Sequence, residues 1–84
     1  MRVYMQTPPG PDGPPRFYQL ILTRDLVDGW TLIREWGQAG SPGRSKRDHF
    51  PDYSSAAQAL ERLREAQIRR GYRTMFIEGE SGPP

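Results

Sequence analysis

Arg16-Phe17-Tyr18-Gln19-Leu20-Ile21-Leu22-Thr23-Arg24 and Trp30-Thr31-Leu32-Ile33-Arg34-Glu35-Trp36 are two runs rich in aromatic and branched side chains, with Asp28-Gly29 between them. Successive strand residues point to opposite faces, so Tyr18, Leu20 and Leu22 share one side. Asp-Gly is turn chemistry, and the two runs together predict an antiparallel hairpin. Trp36 leads directly into Gly37-Gln38-Ala39-Gly40-Ser41-Pro42-Gly43, whose three evenly spaced glycines require a sharp bend or a close approach of the backbone to something else. Arg44 to Phe50 resumes an extended pattern, which Pro51-Asp52 ends.

Outward from this hairpin, Met1 to Gln6 alternates Val3 and Met5 with polar neighbours, the period of a short strand. Residues 7–15 hold five Pro and two Gly and no large apolar anchor, so they predict an exposed loop. Toward the C-terminus, Ser55 and Gln58 stand in the relation of a capping box, and a helix is expected from about 55 to 70. Ala56, Ala59, Leu60, Leu63, Ala66 and Gln67 form its apolar stripe, opposite Gln58, Glu61, Arg62, Arg64, Glu65 and Arg69. Gly71 is placed to end it, and Tyr72 to Ile77 reads as a last strand. The fold class is therefore α+β: a small antiparallel sheet of four to five strands with one helix packed on one face. One domain over residues 1–77 is expected, followed by an acidic, disordered tail over 78–84.

Eighty-four residues are too few for two cores, and nine Gly with nine Pro remove more of the chain from the core that does exist. The absence of Cys excludes disulfide frameworks, thiolate metal sites and a thiol nucleophile, and favours a reducing interior. No apolar run is long enough to span a membrane, and a cytoplasmic location is the expectation. Twelve basic residues against ten acidic ones give a net charge of +2. Eleven of the twelve are Arg, Lys46 being the exception, and Arg is the side chain suited to bidentate phosphate contacts.

Catalysis needs convergent groups, and the chain offers one imidazole, His49. Its neighbour Asp48 points to the other face of a strand, so the pair does not make a couple. No nucleophile motif surrounds the serines, and the glycine turn matches neither the dinucleotide fingerprint nor the P-loop. No enzyme activity, no cofactor and no metal are expected. What the sequence does bring together, within fourteen residues, is Arg34, Trp36, the glycine turn with Gly37, Gln38 and Gly40, and then Arg44, Lys46 and Arg47. A hairpin folds these back beside one another, placing an aromatic ring among cations: a surface for a sugar or base flanked by groups for phosphates. The amides of the turn could add to it. Against this stands a plain alternative, since Leu32 lies on the same strand face as Trp36 and favours a buried indole.

Phe17-Tyr18-Gln19-Leu20 at the start of the hairpin, Trp36-Gly37-Gln38-Ala39-Gly40 at its far end, an alanine-rich helix and Gly71-Tyr72 resemble a WGR domain over residues 16–72. That family occurs as one module of poly(ADP-ribose) polymerases and in bacterial proteins. The resemblance implies a sheet with one helix and a nucleic-acid-binding role; nothing in the chain resembles the transferase domain, so it implies binding rather than catalysis. It further implies that Trp36 packs on a sugar at a DNA end or nick while basic residues hold the backbone. Gln38 stands where the family has arginine and Ala39 where it has a larger apolar residue, so one charged fork to phosphate is missing. A protein-interaction module, using the aromatic sheet surface or the Pro-rich loop, is the rival reading.

Overall fold

Alternation in the two central runs is realised as a pair of nine-residue strands in the computed structural model, which describes residues 1–11 and 13–79. In chain order the elements are β1 (Arg2–Gln6), β2 (Arg16–Arg24), β3 (Trp30–Gln38), β4 (Arg44–Phe50), α1 (Tyr53–Arg69) and β5 (Arg73–Glu78). They build one antiparallel five-stranded sheet in the order β4-β3-β2-β1-β5, with α1 over one face. The expected α+β architecture is thus the observed one.

The hairpin sets the register of everything else. Tyr18 lies opposite Trp36, Leu20 opposite Arg34, Leu22 opposite Leu32 and Arg24 opposite Trp30, and these residues share the face that meets the helix. β1 adds Val3 and Met5 to that face, and α1 contributes Ala56, Ala59 and Leu60. Val3, Met5, Leu20, Leu32 and Leu60 have essentially no exposed surface, and each such side chain contributes about 1.5–3 kcal/mol of transfer free energy. Small residues on the helix stripe let α1 sit close to β2, β3 and β4.

On the other face no element covers the sheet among the described residues. Phe17, Tyr4 and Phe76 form a ladder of near-parallel rings across β2, β1 and β5, with centroids 6.2 and 5.3 Å apart. Arg2 lies over the Phe76 ring at 5.1 Å, and its guanidinium pairs with Glu78 at 2.8 Å. β5 therefore takes in Glu78, and residues 80–84 of the expected tail lie outside the described residues.

The helix begins earlier than the capping box places it. Pro51 ends β4, Asp52 stays extended at φ −145°, and its Oδ1 accepts from the Ser55 amide at 2.8 Å, so α1 starts at Tyr53. Gln58 donates to Ser54 Oγ at 3.4 Å and closes no box with Ser55. At the other end Gly71, at φ 102°, permits the amides of Gly71 and Tyr72 to reach the Ile68 and Gln67 carbonyls, both at 3.0 Å. This double bond pattern terminates the helix and turns Tyr72 back over the sheet.

Candidate nucleic-acid interface

Trp36 sits near the end of β3, on the helix face, where it borders a hollow shared with Leu63, Ala66 and Gln67 of α1, and it is only partly buried. Its indole stacks on Tyr18, centroids 6.0 Å apart and planes 19° apart, and Tyr18 in turn meets the edge of Tyr72 at 5.9 Å. The indole is therefore neither sealed nor fully exposed: it packs against the core and also lines two open hollows. One hollow is lined by Arg16, Arg34, Gln67, Arg70 and Tyr72, and a second by Arg16, Gly37, Gln38, Gly43 and Arg44. Trp36 is shared by the two.

Strand pairing decides which cations join it. Trp36 lies opposite Arg44 and Arg34 opposite Lys46, so all three cations fall on the indole's face of the sheet. Arg47 lies opposite Ile33 and belongs to the other face, which separates it from the group the sequence assigned it to. Adjacency in sequence placed it there, but strand alternation sends it away. Arg16, opposite Gln38, and Arg70, after the helix end, come in from distant parts of the chain. Neither was legible as a site residue, since only the β2–β3 register and the helix terminus bring them near. Among the described residues, five cations thus share this region with one carboxylate, Asp48, which holds Arg34 at 3.4 Å.

The glycine turn is shaped by packing. A Cβ on Gly37 would stand 2.8 Å from the Gly43 Cα, and one on Gly43 would run into the Trp36 carbonyl oxygen and come within 3.0 Å of Phe17. The two glycines let β3 and β4 converge against the Phe17 ring on the open face, the opposite side of the sheet from the indole. Turn amides are partly committed: Ala39 donates to the Pro15 carbonyl at 2.8 Å and Ser41 to that of Gln38 at 3.1 Å. The anion cradle expected from the turn is correspondingly reduced, and Ala39 instead fastens the turn to the end of the Pro-rich loop. That loop is closed at its neck by Thr7 and Arg16, whose backbones bond at 2.9 Å.

His49 has a carboxylate partner after all, although not its sequence neighbour. Its Nδ1 pairs with Asp25, which also accepts from the Thr31 hydroxyl, at the tip of the β2–β3 hairpin and on the open face. Asp48 points the other way and serves Arg34. Among the described residues no group of His, Asp and Glu has the arrangement to hold a metal ion, and no helix is long and apolar enough to cross a membrane.

No curated protein matches the chain. A family model, that of the WGR domain, matches residues 1–76 and so takes in every strand and the helix, with Trp36-Gly37-Gln38 at the end of β3. The chain belongs to the WGR domain family of non-catalytic, nucleic-acid-binding modules.

Proposed function

We propose that this WGR domain binds DNA without sequence preference, at ends or nicks, and catalyses no reaction of its own. The observation that carries this reading is the partly exposed indole of Trp36, backed by Tyr18 and bordered by Arg16, Arg34, Arg44 and Arg70, with Lys46 opposite Arg34 on the same sheet face. A ring held rigidly from behind offers its free side to a sugar or base with little further ordering, and guanidinium groups around it meet the phosphates on either side. Gln38 lacks the charge of the family's arginine. Arg16 lies directly opposite it on the neighbouring strand, and so returns a guanidinium to the same part of the surface. Gly37 and Gly40 shape the turn beside the ring, while Gln38 offers amide donors to a phosphate oxygen.

A protein partner is the second reading, favoured by the exposure of Pro8, Pro9, Pro11 and Pro14 in the loop. Fluorescence anisotropy with nicked, blunt and single-stranded DNA, for the native chain and Trp36→Ala, separates the two. DNA binding that depends on Trp36 supports the first. Absence of binding to all three DNAs at low salt contradicts it.

A further inference from the structure

The two edges of the sheet differ in kind. β4 carries Arg44, Lys46 and Arg47 along one edge, a charged strand of the sort that resists pairing with other chains. β5 forms the other edge, outboard of the helix, and exposes three apolar residues in succession: Met75 at 56%, Phe76 at 41% and Ile77 at 50%. No Pro or Lys interrupts Arg73-Thr74-Met75-Phe76-Ile77-Glu78.

This strand is complementary to itself. Laid antiparallel against a second copy about its midpoint, Arg73 comes opposite Glu78, Thr74 opposite Ile77 and Met75 opposite Phe76. In a regular strand of even length that alignment would oppose side chains from different faces. Here the pairing of β5 with β1 shifts between Tyr4 and Met5, leaving Met75 as an extra residue. Arg73 and Glu78, opposite Gln6 and Arg2, consequently share the open face, and Thr74 and Ile77, opposite Met5 and Val3, share the helix face. The irregularity restores the match of faces that self-pairing needs. Arg73 makes no ion pair among the described residues, and Glu78 already sits beside Arg2, so a second copy would bring a free cation to a half-exposed carboxylate.

We propose that β5 is a homodimer interface, pairing antiparallel with β5 of a second copy about a two-fold axis and joining the two sheets into one. The contact is of the same patch on both copies, so it closes at two. It leaves the Trp36 region on β3, separated from β5 by β1 and β2, open in both copies.

Analytical ultracentrifugation across a wide concentration range tests this directly. The native chain is expected to pass from a 9.6 kDa species to one of twice that mass as concentration rises. Met75→Lys, at a residue unpaired with β1, should weaken the dimer at least about tenfold with its circular dichroism unchanged. Arg73→Glu and Glu78→Arg should each weaken it alone and pair with one another when mixed. A single 9.6 kDa species at every concentration, growth beyond two copies, or full dimerisation of Met75→Lys would each overturn the proposal. None of these readings involves DNA, so the outcome is independent of the nucleic-acid reading.

Discussion

Trp36 owes its position to what stands behind it. Tyr18 fixes the ring, Tyr72 fixes Tyr18, and Gly37 and Gly43 let the backbone converge beneath. Replacing Trp36 by Ala is expected to weaken DNA binding by about 1–3 kcal/mol, the range for loss of one stacking aromatic, as read by anisotropy. Trp36→Phe should retain part of that affinity. Gly43→Ala should destabilise the fold by roughly 1–3 kcal/mol in urea titration, because φ is 73° there and the new methyl meets backbone. Gly10→Ala, in open space, should change stability little. At this scale the sequence disclosed the residues that are near one another along the chain: Trp36, Arg34, Arg44 and Lys46 stand together as their spacing implies. It could not disclose Arg16 and Arg70, which arrive through register and helix termination, nor the Asp25 partner of His49, which is brought round by the hairpin. Arg47 shows the reverse error, a neighbour in sequence that the pleat turns to the far side.

Element ends, more than element interiors, position the surface. The apolar stripe of α1 was readable from its period, whereas its start was not, since Asp52 and Ser55 are both competent caps and only the extended backbone at Asp52 decides between them. The Ser55 backbone hydrogen bond, followed by that from its side chain, holds the Asp52 carboxyl below the usual aspartate range. A lowered folded-state value means that the cap's contribution is present above the ordinary aspartate range and fades as pH falls through the depressed value. Urea midpoints of the native chain and Asp52→Ala are therefore expected to differ at neutral pH and to converge in strong acid. A gap that stayed constant into acid would show that the carboxylate is not the source of the stabilisation. At the opposite end, the glycine-terminated turn sends Tyr72 onto Tyr18, so the helix terminus and the candidate interface are built together.

For the whole molecule, net charge is a poor guide and its distribution a good one. A surplus of only +2 conceals a helix-side region where, among the described residues, five cations meet one carboxylate, while Glu35 and Glu78 lie on the open face and Glu61 and Glu65 on the helix. The local alternation of β1 was legible, but its place between β2 and β5 was not, because nothing in a period of two names a distant partner. Placing all five cations around Trp36 makes a prediction that depends on no single residue. Contact with about three or four phosphates requires log affinity to fall with log salt at a slope near about −3. Arg16→Ala and Arg44→Ala should each reduce that slope by about one, and Arg47→Ala, on the other face, should leave it unchanged. The most direct measurement is this salt titration of nicked-duplex binding by the native chain and the Arg16→Ala/Arg44→Ala variant. A slope near about −3 that falls by about two in the double variant is the expected result, and a salt-independent affinity, or equal slopes for the two proteins, would contradict a DNA site at Trp36.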